Sequence, residues 1–499
     1  MQPAPSSQKV IARGAGSNAL SFVIRFAARA SFLYVGARLY GAASYGVFTM
    51  ASAMVELAVP LASLGLKRMI FPWLEEEAAP GSGVAARPAT HVLLDALLLA
   101  MLAGIGVSLL VIGGAWMLPA GVISDALRLA IMLLAPAVLG QITGDIALAS
   151  TRWTHRMRYE VIGRGLIEPY VLTGVALLAL HWGDTQTGML WGYWAGSIAL
   201  AVFSVWSARH CLGPLQLRQW HPRPAALAKR VRTLLPASGS DFLTTLAQRI
   251  DLYLVGFLLG DAAVGIYGVL RQLRTPILQV RQAFDGILTP LTARTMHADG
   301  DRVTGEATAA ATRVVLTLQL GVVMLMAAAA DPLLGLFGVH EPSAGLALIA
   351  MLLGETINGA FGISELILYY RKPARALQVN LVLIVVAGLA IPMLTPAYGI
   401  IGASLAMLLA ALIAAGLRRH WLVGLGVRPP LFHAAIPVGA ASGAVLTAVA
   451  AGRFLPADLP QALHQAAPPL LALMVYALIV LGWRRASPGI LSLDRYRVS

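Results

Sequence analysis

Apolar runs of about twenty residues recur along the whole of this 499-residue chain. Windowed hydropathy predicts about fourteen of them, centred near Leu33, Met54, Leu99, Leu134, Val175, Ala199, Leu246, Ile277, Val323, Leu353, Val386, Met407, Val445 and Met474. A run of this length crosses the hydrocarbon core of a bilayer as one helix, and a helix satisfies its own backbone polar groups in lipid. The sequence therefore predicts an all-α, polytopic membrane protein with about fourteen transmembrane helices.

Composition leaves little room for anything outside the membrane. Hydrophobic residues make up 58% of the chain and charged residues only 12%, whereas soluble domains carry about 25% charged residues. This excludes nucleic-acid-binding modules, soluble enzyme folds and secreted scaffolds. The single cysteine, Cys211, excludes a disulfide framework and a multi-cysteine metal site.

Enzyme motifs are also missing from the sequence. It contains no phosphate-binding glycine loop ending in Lys-Ser/Thr, no HExxH and no Gly-x-Ser-x-Gly. We therefore expect a protein that is not an enzyme, with no catalytic residues, no metal, no cofactor and no nucleic-acid partner.

The basic residues indicate how the chain is oriented. With the N-terminus in the cytoplasm, the outer segments hold only Arg38, Arg128 and Arg453. The inner segments of the first half hold Lys9, Arg13, Lys67, Arg68, Arg87, Arg152, Arg156, Arg158, Arg164, Arg209, Arg218, Arg223, Lys229, Arg230 and Arg232, and the second half follows the same alternation. Because cytoplasmic loops are rich in Lys and Arg, both termini are predicted to be cytoplasmic.

Two local features support this count of spans. Residues 376–417 contain no charged residue, but Thr395-Pro396-Ala397-Tyr398-Gly399 interrupts them, which predicts two spans joined by a tight turn. The first seventeen residues are polar, and Arg25 and Arg29 lie within the apolar run that follows. A cleavable signal peptide has a short uncharged core, so this run is predicted to be a retained first span.

A short sequence pattern recurs at an offset of 219 residues. The letters LYGAASYGVF begin at Leu39, between spans one and two, and LLGDAAVGIY begins at Leu258, between spans seven and eight. Tight turns favour Gly and Ala in any case, but the match extends to a β-branched residue and an aromatic one. Six spans separate the copies, so the two halves would run in the same direction, as in alternating-access transporters built from parallel repeats.

These residues also carry a family resemblance. The stretches RLYGAASYGVFTMASAMVELAVPLASLGL and AQRIDLYLVGFLLGDAAVGIYGVLRQLRTP resemble the polysaccharide-exporter branch, the Wzx-type flippases, of the multidrug/oligosaccharidyl-lipid/polysaccharide (MOP) superfamily. The resemblance implies two pseudo-symmetric six-helix lobes and two C-terminal helices. The corresponding segments are a cytoplasmic segment 1–17, an N-lobe 18–210, a basic linker 211–232, a C-lobe 233–425, and two last spans with a cytoplasmic tail, 426–499.

The resemblance also implies a cargo and a location. The cargo is an oligosaccharide on undecaprenyl diphosphate, moved from the cytoplasmic to the outer leaflet of the bacterial inner membrane by alternating access. The product would be O-antigen, capsule or exopolysaccharide. Membrane lipids are the expected neighbours, and a polysaccharide polymerase and chain-length assembly is left open as a further partner.

Charged residues inside the predicted spans are the candidate binding residues. Each costs about 2.5 to 3.5 kcal/mol at a helix centre, so such residues face cavities or partners. The arginines in question are Arg25, Arg29, Arg249, Arg271, Arg274 and Arg281. Guanidinium groups bind a diphosphate bidentately and stay charged, so a cationic substrate site is predicted.

Structural roles remain open for several of these arginines. Arg25 is close enough to the cytoplasmic end to extend into the interface, and Arg271 and Asp251 would also fit a pair that holds a helical hairpin together. Arg274 and Arg281 have the fewest evident partners and are the first choices for the substrate.

Acidic residues in the spans are candidates for ion pairing or for energy coupling. The principal ones are Glu56, Asp241, Asp251 and Asp285, and further ones are Asp95, Asp145, Glu168, Glu355 and Glu365.

Three other functions are compatible with a chain of this kind. A flippase for the peptidoglycan lipid precursor would need the same cations. A MATE-like multidrug antiporter would need an acidic site, yet span one has arginines and no acid. A membrane glycan ligase or polymerase would need a large outer loop, which the sequence lacks.

Overall fold

The structure is a computed structural model that describes residues 27–78, 87–119, 121–154, 156–282, 300–427, 432–452 and 461–486. The described residues form helices and the turns between them. In the first half these are α1 (27–39, ending in the π-helix Tyr34–Leu39), α2 (Ala42–Ser63), α3 (Leu66–Ala78), α4 (Ala89–Met117), α5 (Asp125–Leu134), α6 (Val138–Trp153), α7 (Arg158–Ile162), α8 (Glu168–His181), α9 (Gly188–Leu212) and α10 (Pro224–Leu259). In the second half they are α11 (Asp261–Leu273), α12 (275–282), α13 (Gly300–Ala328), α14 (Ala330–Leu336), α15 (Ala344–Phe361), α16 (Ile363–Arg371), α17 (Pro373–Gly424), α18 (Phe432–Gly452) and α19 (Gln461–Ala486).

The helices confirm the predicted all-α membrane fold. Every predicted span centre, from Leu33 to Met474, lies in a helix. Among the described residues, nine continuous helical segments are long and apolar enough to cross a membrane, and two shorter apolar helices, Ala435–Thr447 and Leu470–Trp483, follow them. One of the nine, Ala374–Gly424, contains a non-helical residue, Gly399, with φ of 57°. The predicted break at Thr395–Gly399 is therefore confirmed, and α17 contains two spans.

The chain divides into two compact units. Unit 1 comprises residues 1–249 and 260–265, and unit 2 comprises residues 250–259 and 266–499. In unit 2, the core of α13, α15, α18 and α19 buries Leu316, Leu320 and Tyr476, and the Tyr476 hydroxyl donates to the Thr317 carbonyl at 2.7 Å.

The repeated sequence pattern has a structural counterpart. Gly41 and Gly260 each stand directly before a helix. Their φ angles are positive, 87° and 80°, which is a backbone region that favours glycine. Gly46 lies so close to the Asp261 carbonyl that a Cβ would overlap it, and Gly265 lies equally close to the Ala42 carbonyl. The two contacts are reciprocal at the 219-residue offset, and all these residues belong to unit 1. The repeat thus marks two equivalent helix starts that touch each other.

A break between α2 and α3 shapes the interior of unit 1. Leu64 and Gly65 adopt left-handed conformations with φ of 51° and 71°, which end α2 and separate it from α3. The Ser238 hydroxyl of α10 donates to the Pro60 carbonyl at 3.0 Å, and a Cβ at Gly65 would lie 2.8 Å from that of Ala237. Contact with α10 therefore holds the break in place.

Candidate substrate cavity

A cavity of about 1080 Å³ opens inside unit 1. Its walls come from α1, α2, α3, α6, α8, α9 and α10, and from the turn around α7. Polar uncharged side chains on the wall include Gln141, Thr244, Thr245 and Gln248, and apolar ones include Val59, Ile70 and Phe71. A volume of this size exceeds the roughly 300 to 1,000 Å³ typical of small-molecule sites.

Cations outnumber acids on the cavity wall. The cationic residues are Arg29, Lys67, Arg68, Arg152, Arg164 and Arg249, and the acidic ones are Glu56, Asp145, Glu168 and Asp241. The wall therefore carries a surplus of two positive charges. In a cleft with apolar surroundings, such a surplus concentrates anions.

Lys67 and Arg68 reach the cavity because of the break at Leu64–Gly65. They lie in the first turn of α3, where the helix dipole adds positive potential. Arg68 Nη2 lies 2.7 Å from Asp241 Oδ1, and Lys67 Nζ lies 3.1 Å from Asp145 Oδ1. Both cations are well exposed, at 56% for Arg68 and 46% for Lys67.

A second group of charges surrounds Arg164, which sits in a π-helical turn, Gly163–Ile167. Such turns are frequent at functional sites. The Arg164 guanidinium bonds Asp145 and lies 3.7 Å from Glu168 Oε2. Gln141 donates to Glu168 at 2.7 Å and to the Ser197 hydroxyl at 3.0 Å. This network holds Arg164 from two sides.

Two of the predicted arginines line the cavity. Arg249, on α10, is paired with Glu56 of α2, and Arg29 faces the cavity from α1. Asp241, predicted as a pairing or coupling residue, is also on the wall. Arg25 and Asp285 lie outside the described residues.

Arginines 271 and 274 are paired inside unit 2. Arg271 bonds Asp251, whose side chain is fully buried and accepts from the Tyr267 hydroxyl at 3.0 Å. Arg274 Nη1 lies 3.2 Å from Glu355 Oε2.

Arg281 also lies in unit 2. Its guanidinium lies against Gly362, where a Cβ would be 2.7 Å from Arg281 Nη1.

Sequence reasoning assigned four of the cavity cations to cytoplasmic segments. Lys67, Arg68, Arg152 and Arg164 were counted only for topology, and Asp145 and Glu168 only as acids within spans. The available signal was Gly65 directly before Leu66-Lys67-Arg68, because a glycine there allows a helix to end and a new helix to begin with a charged first turn.

Among the residues that the structure describes, no group of three or more His, Cys, Asp and Glu side chains is placed to hold a metal ion. The acids on the cavity wall face cations instead.

Comparison with solved structures shows the fold. The lipid II flippase MurJ in an inward closed conformation has a TM-score of 0.72 and 12% identity, covering 94% of this chain and 99% of that one. An inward-facing multidrug resistance MATE transporter of the MOP superfamily has a TM-score of 0.65 and 13% identity, covering 80% and 94%. A MOP transporter from Pyrococcus furiosus, described by the reverse polarity of its binding pocket, has a TM-score of 0.52 and 15% identity, covering 83% and 92%.

Comparison by sequence shows the family. Among the curated proteins compared, none matches this chain. The model of the family described as "Polysaccharide biosynthesis protein" matches residues 11–296, which is more than half of the chain. The protein therefore belongs to the polysaccharide biosynthesis protein family and has the fold of the MOP transporters.

Proposed function

We propose that the protein is a flippase for an oligosaccharide linked to undecaprenyl diphosphate. It moves the cargo from the cytoplasmic to the outer leaflet of the bacterial inner membrane by alternating access, and so supplies O-antigen, capsule or exopolysaccharide synthesis. The observation that carries this proposal is the cavity of unit 1, whose wall holds six cations and four acids.

The surplus charge of the wall matches the cargo. A diphosphate esterified at both ends carries two negative charges, equal to the surplus of two cations. Arg29 and Arg249 are the proposed diphosphate contacts, because guanidinium groups bind phosphate oxygens in pairs and keep their charge. When Arg249 engages the diphosphate it gives up Glu56.

The remaining wall suits the sugars. Thr244, Thr245 and Gln248 offer hydroxyl and amide groups to sugar hydroxyls. The volume of about 1080 Å³ gives room for several sugar rings. The polyprenyl tail stays in lipid.

The arginines of unit 2 stay in the proposal as predicted contacts. The sequence predicts Arg274 and Arg281 first among the cargo contacts, and Arg271 with them. The pairs Arg271–Asp251 and Arg274–Glu355 make a structural role testable beside the cargo role.

A peptidoglycan lipid precursor is the second candidate cargo. It is favoured by the structural likeness to a lipid II flippase over 94% of this chain, and it would use the same cationic wall. A drug antiporter is disfavoured because acids on the wall such as Glu56 and Asp241 face cations.

Lipid analysis in cells tests the proposal. In a strain that depends on this protein for surface polysaccharide, the double variant R29Q/R249Q should stop export and accumulate an undecaprenyl-diphosphate-linked oligosaccharide, with normal protein level. R38Q changes an exposed arginine that is not on the cavity wall and should export normally. Accumulation of lipid II instead would support the second candidate, and normal export by R29Q/R249Q would exclude the cavity as the cargo site.

A further inference from the structure

One carboxylate oxygen in the cavity is shared by two cations. Asp145 Oδ1 contacts both Lys67 Nζ, at 3.1 Å, and the Arg164 guanidinium. The Asp145 side chain is only 8% exposed, so its charge needs a counter-ion. One cation is enough for that purpose, and the second is available for another partner.

Arg164 is the cation that stays. It contacts a second acid, Glu168, which Gln141 holds in turn through a hydrogen bond of 2.7 Å. Its backbone lies in the π-helical turn Gly163–Ile167 rather than at a helix end. Losing Lys67 would leave Asp145 paired with Arg164.

Lys67 is the cation that is able to leave. Its side chain is 46% exposed and lines the cavity, where it pairs with Asp145. An ammonium on a four-carbon stem changes direction easily, whereas a guanidinium in a two-sided contact does not. Lys67 also stands beside Arg68 in the first turn of α3, where the helix dipole favours an incoming anion.

We infer that Asp145 stands in for the cargo anion, and that Lys67 exchanges this carboxylate for a phosphate of the incoming diphosphate. This inference rests on the proposed function, because it places an anionic cargo in the same cavity. The exchange makes Asp145 a specificity determinant. An anion binds only if it competes with the resident carboxylate, so a diphosphate succeeds where a singly charged anion does not.

Direct binding of inorganic pyrophosphate tests the exchange. The full chain is reconstituted in nanodiscs of zwitterionic lipid and titrated calorimetrically. D145N should bind pyrophosphate about three- to tenfold more tightly than the wild type, because Lys67 no longer has to be released. K67Q should bind about tenfold more weakly, and in K67Q/D145N the gain from D145N should disappear.

A matched control separates exchange from general electrostatics. E168Q also removes one negative charge from the cavity wall, but it leaves the Lys67 to Asp145 pair intact and releases no cation, because Arg164 keeps Asp145. If D145N and E168Q tighten binding equally, or if D145N still tightens binding when Lys67 is replaced, the exchange is overturned. Thermal unfolding of each variant shows that it is folded, and D145N alone decides the matter if K67Q does not fold.

The same titration distinguishes this inference from the proposed function. Wild-type binding of pyrophosphate that is lost in R29Q/R249Q but not strengthened in D145N removes the exchange and leaves the anion site. An absence of saturable binding in the wild type and in D145N contradicts both.

Discussion

The two units hold the same kinds of ion pair in different surroundings. In unit 1, Arg68 pairs with Asp241 on the wall of a cavity, and the Arg68 side chain is 56% exposed. In unit 2, Arg271 pairs with an Asp251 that is fully buried, and Arg418 is 3% exposed between Glu365 and Asn358, each at 3.0 Å. An exposed pair is easily exchanged for another partner, whereas breaking a buried pair leaves a charge without compensation.

This difference indicates that an arginine within a span has two distinct roles. The free-energy cost of placing a charge in the membrane is the same in both units. For Arg271 and Arg418 of unit 2 the charge is offset by a fixed partner and contributes to folding. For Arg68 of unit 1 it is offset by a partner beside a cavity and is available for a ligand. Substitutions in each unit test this difference, and the largest loss of stability is expected in unit 2.

Asp251→Asn should cost the most stability. It removes the carboxylate charge that faces Arg271 in a buried site, which typically costs about 3 to 5 kcal/mol. Reversible unfolding in mixed micelles measures the loss. Asp125→Asn is the matched control, because that side chain is 95% exposed at 3.7 Å from Arg128, and it should change stability by less than about 0.5 kcal/mol. Equal losses in the two variants would refute the distinction between buried and exposed pairs.

Arg274→Gln distinguishes a structural role from a cargo-binding role, because the sequence also predicts that this arginine contacts the cargo. If its pair with Glu355, at 3.2 Å, is structural, the variant should lower the free energy of unfolding by about 1.5 to 3 kcal/mol. Glu355→Gln should give a similar loss, and the double variant should lose less than the sum of the two. Unfolding measurements on the three variants provide this cycle. Lost export with unchanged stability in Arg274→Gln would instead assign it to the cargo.

Arg68→Gln should have the smallest effect on stability, below about 1 kcal/mol, because the arginine is largely exposed. Export should nevertheless fall, since the variant removes one of the six cations from the cavity wall. Surface polysaccharide per unit of membrane-inserted protein is the measurement. Arg68→Lys should retain part of the export, because the charge survives without the fork geometry. A variant that is strongly destabilised would place Arg68 with the structural pairs.

The fold could be read from the sequence to a large extent. Span centres follow from hydropathy, since a buried or lipid-facing helix needs an unbroken apolar run. The break at Gly399 followed from a turn signal in an uncharged stretch. The repeat around Gly41 and Gly260 was visible because both helix starts require glycine, and the reciprocal contacts of Gly46 and Gly265 exclude a larger side chain.

The grouping of charges could not be read in the same way. Lys67 and Arg68 were assigned to a loop because hydropathy averages over a window, and it cannot show that a left-handed Leu64 and Gly65 turn a helix start inward. Arg164 meets Asp145 across helices, 19 residues apart in sequence. Such pairs depend on helix rotation and on π-helical turns, which side-chain spacing alone does not reveal.

We propose that the cation-lined cavity of unit 1 carries the diphosphate of a lipid-linked sugar across the membrane. The most direct measurement is leaflet exchange in proteoliposomes, using a polyprenyl diphosphate oligosaccharide whose fluorescent sugar is quenched by an impermeant reagent. Exchange should depend on the protein, be lost in R29Q/R249Q and be retained in R38Q, with both variants folded. Exchange at the wild-type rate in R29Q/R249Q would contradict it.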